Sequence, residues 1–262
     1  MKRLTLLKAM LLLFLFGFSQ NKATENLAFK RGEKLVFRVY YDSFLTGKVT
    51  AGEATLEVTS DNKVIGGRPT FHVIGTGRSK GAFNLFFKVI DRFESFFDEE
   101  TFSPLVFIRR TREGGYKKDD DVTFLKNKGI AISRKKTTPI ANNVYDFLSA
   151  YYWARNIDVT KYNFGESALF SFFLDDTTYA SKIQFVQKEN VKIELGKFKT
   201  IKIMPGVAKG NVFNDEYPIE VWISDDKNRI PILAQSKIIV GKVKMELVSY
   251  SGLANPLTSK IE

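Results

Sequence analysis

The sequence predicts a mainly β fold: an antiparallel curved sheet or open barrel made of two related β-units, with one central α-helix. A two-sheet β-sandwich is the alternative. Three observations lead there. Segments such as "KLVFRVYY", "EATLEV", "PTFHVIG", "SALFSFFL", "KFKTIKI", "PIEVWIS" and "KVKMELVSY" alternate with a period near two. Turn signals including "DSFLTG", "DNK", "IGG", "EGG" and "DDKNRIP" separate them at the roughly ten-residue spacing of sandwiches and barrels. The 24 Phe among 262 residues also favour pleated, half-buried surfaces.

At the N-terminus, Lys2, Arg3 and Lys8 form a basic region and Met10 to Phe18 a short apolar run, followed by polar "NKATEN". This is the pattern of a secretory signal peptide. The alternative, a retained anchor, is disfavoured because the run is short for a membrane span. No second apolar run is long enough, so the mature chain is expected to have no transmembrane segment. The absence of Cys rules out disulfides, thiol catalysis and a lipidated cysteine anchor. A free periplasmic protein is the expectation. Removing Lys2, Arg3 and Lys8 lowers the formal net charge from +11 to +8. An exported basic protein is not expected to meet nucleic acid. Its natural counter-charges are anionic lipids, envelope glycolipids or acidic glycans.

The expected organisation is a signal peptide over 1–20, a first β-unit over 21–125, a linker over 126–164, a second β-unit over 165–257 and a tail over 258–262. Internal similarity motivates the two units. "GEKLVFRVYYD" at Gly32 answers "GESALFSFFLD" at Gly165, and "SKGAF" at Ser79 answers "AKGNVF" at Ala208. Asp98 precedes Pro104 by six residues, as Asp225 precedes Pro231. The linker carries a helix near 143–155, with Asn142 or Asn143 as the expected N-cap and Asp146 in the first turn. Val144, Phe147, Leu148 and Tyr151 are its expected apolar face.

Together, "GEKLVFRVYYDSFLTGKVTAGEATLEV", "GRPTFHVIGTGRSKGAF", "DFLSAYYWAR" and "VWISDDKNRIPI" resemble the exported Gram-negative family called domain of unknown function 3108. The resemblance spans about Phe29 to Leu257. It implies an exported, mainly β protein and supplies no catalytic residues.

The chemical motifs are sparse. "GTGRSKGA" (Gly75–Ala82) has neither dinucleotide-binding nor P-loop spacing. His72 is the only His, too few for a His-rich zinc site, although it could serve as a base. A hydrolase using His72 would need carboxylate and hydroxyl partners around the ring. "GESALF" lacks the second Gly of a nucleophile elbow. Asp225, Asp226 and Asn228 lack the spacing of a calcium loop and read as turn formers. In "FIRRTREGGYKK", Arg110 and Arg112 share a strand face, and Arg forks suit phosphate.

No metal, cofactor or catalytic residue is implied. The first functional expectation is a non-enzymatic periplasmic protein that binds a lipid or other amphiphilic envelope component. Phe83, Phe86, Phe87, Tyr151 and Trp153 would meet its apolar part, and Arg110 and Arg112 its headgroup. The second is an envelope interaction module for a protein or glycan, with a filled core and an exposed aromatic or basic patch. Within Gly77–Glu100, Phe86 and Phe87 depart from the repeat, where the second copy has "NDEY" (Asn214–Tyr217).

Overall fold

The computed structural model describes residues 27–44, 47–206, 219–237 and 242–261. The signal-peptide segment and "NDEY" lie outside them. The elements in chain order are β1 (Lys34–Ser43), β2 (Gly47–Val58), β3 (Lys63–Ile65), β4 (Arg68–Ser79) and a short helix α1 (Phe83–Phe86). Next come β5 (Ile90–Asp98), β6 (Pro104–Glu113), β7 (Tyr116–Leu125), β8 (Ile130–Ile132), β9 (Thr137–Pro139), β10 (Val144–Tyr145) and helix α2 (Phe147–Arg155). The chain continues through β11 (Ser167–Leu174), β12 (Thr177–Ile193), β13 (Gly196–Pro205), β14 (Ile219–Ser224), β15 (Pro231–Lys237) and β16 (Lys242–Ser251).

All these strands belong to one sheet, in the order β10-β11-β12-β13-β14-β15-β16-β1-β2-β4-β5-β6-β7-β8-β9, with β3 paired to β4. The last strand therefore pairs with the first: Lys34 faces Ser251 and Asp42 faces Lys242. Pairing is antiparallel except between β10 and β11. The sheet is open along its hydrogen-bonded path, but it curls until its two edge regions touch. Phe124 of β7 meets Phe173 of β11 edge-on at 5.5 Å. Arg109 reaches Asp175 at 3.2 Å, and the Thr138 hydroxyl donates to the Asp176 carbonyl at 3.3 Å. The curved, barrel-like sheet replaces the sandwich alternative.

Helix α2 packs against the sheet through β5, β10 and β11. Its N-cap is Asp146, not Asn142 or Asn143. The Asp146 carboxylate accepts from the Leu148 amide at 2.8 Å and the Ser149 amide at 2.9 Å, while the Ser149 hydroxyl accepts from the Asp146 amide. The start moves because Val144 and Tyr145 are taken into β10, pairing with Ser171 and Phe172. The buried face moves with it, to Leu148, Ser149, Tyr152 and Arg155. Phe147, expected in the apolar stripe, is 60% exposed.

Close approach of the helix needs Gly75. A Cβ there would lie 3.3 Å from a Leu148 methyl and 3.4 Å from one of Leu56, a tight fit on both sides. Tyr152 then fits among Phe29, Phe71 and Phe97 in a core of edge-on and tilted rings.

Candidate functional site

Adjacent strands run antiparallel, so the turns alternate between two ends of the sheet. At one end lie the turns after β5 and β14. Asp98 accepts from the Thr101 amide and hydroxyl, both at 2.8 Å, and from Arg68 Nε. Asp226 accepts from the Asn228 amide at 2.9 Å and the Ser259 amide at 3.1 Å. Each carboxylate satisfies a donor of its own turn and one from a distant segment. Among the described residues, no group of His, Asp and Glu could hold a metal ion.

The same end holds a buried ion pair. Arg155, 2% exposed, donates to both Glu33 oxygens at 2.5 and 2.8 Å, to the Ala28 carbonyl at 2.8 Å and to the Asn228 carbonyl at 3.0 Å. It ties the segment before β1, the end of α2 and the turn before β15 into one cluster.

The opposite end carries the loop from Ser79 to Ile90. Its amides are largely paired within the protein. Lys80 donates to Ala51, Asn84 to Gly81, Leu85 to Ala82 and Phe87 to Phe83, and the Lys88 carbonyl accepts from the Gly114 amide. The Ser79 hydroxyl accepts from the Val89 amide at 2.9 Å. Phe87 is half-buried against Gly114, where a Cβ would come within 2.9 Å of its ring. Gly114 also has a φ of +56°, which glycine adopts without strain. Phe83 leans on Phe87 at 6.3 Å. Beyond this base, Leu85 and Phe86 are 83% and 87% exposed. Arg78, Lys80, Lys88 and Lys117 surround the loop, all exposed. Lys80 pairs with Glu53.

The structure brings Phe83, Phe86 and Phe87 together and places the other expected site residues elsewhere. Tyr151 lies on α2, its hydroxyl buried within the protein. Burial pushes that phenol well above its ordinary range. Trp153 stacks on Tyr145 at 5.1 Å and meets Phe170 at 5.5 Å. Arg110 pairs with Asp121 at 2.7 Å, and Arg112 grips both oxygens of Asp119 at 2.6 and 3.0 Å. The "DDD" run thus sits across the hairpin from the arginines.

None of these groups lines the cleft between β12, β13 and the segment before β11. This cleft of about 200 Å3 lies between Val159, Tyr162, Phe164, Phe185, Lys188 and Ile201. It is smaller than the roughly 300–1,000 Å3 of typical small-molecule sites.

His72 is buried and stacked on Phe96 at 4.0 Å. Its Nδ1 faces Asp61 at 3.1 Å and its Nε2 faces Glu94 at 2.9 Å. The hydrogen bond to His72 holds Asp61 below the usual carboxylate range. Burial alone would raise Glu94, but hydrogen bonds from Arg92 and His72 outweigh it and keep it low. With a carboxylate on each nitrogen, the imidazole has no ring nitrogen left to activate a hydroxyl nucleophile.

Leu85, Arg78 and Lys88 were not candidates on sequence alone, while Lys117 stood out only within the basic cluster of "FIRRTREGGYKK". The available signal was the basic flank of "GRSKGAFNLFFKV". The Glu33–Arg155 pair left no local signal, because its partners lie 122 residues apart.

Together these features define a curled β-sheet protein, plugged at one end by a helix and bearing an aromatic, basic loop at the other. The chain belongs to the family described as Protein of unknown function (DUF3108), whose sequence profile matches residues 36–248. No curated protein matches it in sequence. In fold it is similar to the crystal structure of a beta-barrel-like protein of domain of unknown function DUF1849 from Brucella abortus. That similarity has a TM-score of 0.56 at 9% identity, covering 86% of this chain and 99% of the other. A DUF1089 family protein from Pseudomonas aeruginosa matches with a TM-score of 0.39 at 5% identity, covering 68% of this chain and 87% of the other. Among the described residues, no helix is long and apolar enough to cross a membrane.

Proposed function

We propose that this is a non-enzymatic periplasmic protein that binds an amphiphilic component of the cell envelope through its aromatic, basic loop. One observation carries the reading: Phe83, Leu85, Phe86 and Phe87 are held at the surface by a paired backbone, and helix α2 packs on the sheet. The ligand's apolar part would lie on Phe83, Phe86 and Phe87. Its anionic group would meet the flanking cations. Arg110 and Arg112 would serve as headgroup contacts only by exchanging Asp121 and Asp119 for the ligand. The signal-peptide pattern over 1–20 supports the compartment, and recovery from the periplasmic fraction with a new N-terminus near Asn21 checks it.

Titration with a short-chain phosphatidylglycerol below its micelle concentration tests the binding. Saturable binding that weakens in Phe86→Ser is the expected result. Absence of binding, with a stoichiometric envelope protein co-purifying, favours the interaction-module alternative.

We further propose that the two strand arrays arose by duplication. The arrays β1, β2, β4–β7 and β11–β16 are both antiparallel meanders of matching order. Phe102 and Arg229, each four residues after Asp98 and Asp225, both have positive φ, at 58° and 47°.

A further inference from the structure

We propose that the Ser79–Ile90 loop docks on a bilayer: Leu85 and Phe86 enter the interfacial region of an anionic membrane, and Arg78, Lys88 and Lys117 meet its phosphates. This rests on the amphiphile reading above and names the form in which the amphiphile is met. Three observations select a bilayer.

The first is placement. Leu85 and Phe86 form the crown of a loop at a sheet end. Phe44, fully exposed in the β1–β2 connection, lies at the same end, because Gly52 of β2 pairs with Ser79 at the end of β4. Apolar tips on a rigid scaffold are suited to entering an interface. The second is backbone closure. Hydrocarbon supplies no hydrogen-bond partners, so an inserting segment must satisfy its own amides. Those of Asn84, Leu85, Phe87 and Val89 are bonded inside this loop. A protein partner could complete an open loop, whereas a lipid core could not. The third is charge. Among the described residues, no carboxylate forms an ion pair with Arg78, Lys88 or Lys117, which are all exposed. Cations flanking an apolar tip are drawn to an anionic leaflet.

The absence of Cys permits a direct test. A Leu85→Cys variant labelled with an environment-sensitive fluorophore is mixed with phosphatidylcholine vesicles, with and without phosphatidylglycerol. A Lys227→Cys variant reports on the opposite end. The expected result is a blue shift, quenched by brominated lipid, for the Leu85 label on anionic vesicles only, and no shift for the Lys227 label. In co-sedimentation of the full chain, Leu85→Ser with Phe86→Ser lowers partitioning about tenfold or more. Each neutralised cation lowers it about fivefold at low salt. Equal response of the two labels, or unchanged partitioning of the double variant, overturns the proposal. Retained binding of monomeric phosphatidylglycerol alongside a silent Leu85 label would discard the bilayer alone. Loss of both would discard the amphiphile reading as well.

Discussion

At one end of the sheet, Asp98 and Asp226 tie down their turns, and Arg155 is clamped to Glu33 beside the second of them. At the other end, the loop after β4 satisfies its backbone and leaves Leu85 and Phe86 in solvent. The same strands run between the two ends. One end buries polar groups and pairs them; the other exposes apolar groups and leaves them uncovered. Burying an ion pair is a poor way to gain stability, but breaking one is severe. Exposing Phe gains nothing for the fold. The locked end is therefore where a single substitution should cost most, and the open end where it should cost least.

The sharpest way to break that comparison is at the locked end. Arg155→Ala leaves Glu33 buried without a counter-charge and is expected to lower stability by about 3–5 kcal/mol in urea unfolding. A loss under about 1 kcal/mol would show that the cluster does not hold this end together. Next in size is the helix cap. Asp146→Ala removes the acceptor for two amides and for the Ser95 hydroxyl, and is expected to remove about 1–2 kcal/mol.

The same residue makes a prediction about pH. Burial pushes the Asp146 carboxyl up to about 6, against opposing hydrogen bonds from Ser95 and the helix amides. The folded protein then binds this proton more tightly than the unfolded chain, so the contribution is present in acid and lost as pH rises through about 6. Asp146→Asn keeps a capping oxygen without the titration. Its stability relative to the parent should therefore improve as pH rises between about 4 and about 6. Asp61 and Glu94 act in the opposite sense. Both are held low, so their contribution is present at neutral pH and lost as pH falls through their folded values.

The smallest effects are expected at the open end. Leu85→Ser with Phe86→Ser should change stability by no more than about 0.5 kcal/mol, because exposed positions tolerate substitution. A clear destabilisation would show that the loop is part of the core. Arg112→Gln, which breaks an exposed pair with Asp119, should leave the melting temperature unchanged within error.

Much of this architecture was legible from alternation and turn chemistry. "KLVFRVYY" and "KVKMELVSY" both read as strands, yet nothing in either says that they pair with each other, 206 residues apart between Tyr40 and Glu246. The helix was legible as an element but not in its start or its buried face. Propensity favoured an asparagine cap, whereas pairing of Val144 and Tyr145 with β11 decided for Asp146. Ser149 and Arg155 lie outside the apolar face expected of the helix, yet each is buried with a partner from the cap or from another element. The candidate site was half legible. "NLFF" stood out as a departure from the repeat, while the cations around it come from the β4–β5 segment and from β7.

By itself, the sequence determined the strand and turn pattern, the acidic turns and the concentration of Phe in Gly77–Glu100, since these depend on short-range periodicity and local backbone chemistry. Only the tertiary structure decided that β16 closes on β1, that Gly75 admits the helix and that Arg155 finds Glu33. It also decided that Phe87 is held against Gly114 while Leu85 and Phe86 stand free. Those outcomes depend on which distant groups share space, and burial, pairing and exposure are properties of that shared space.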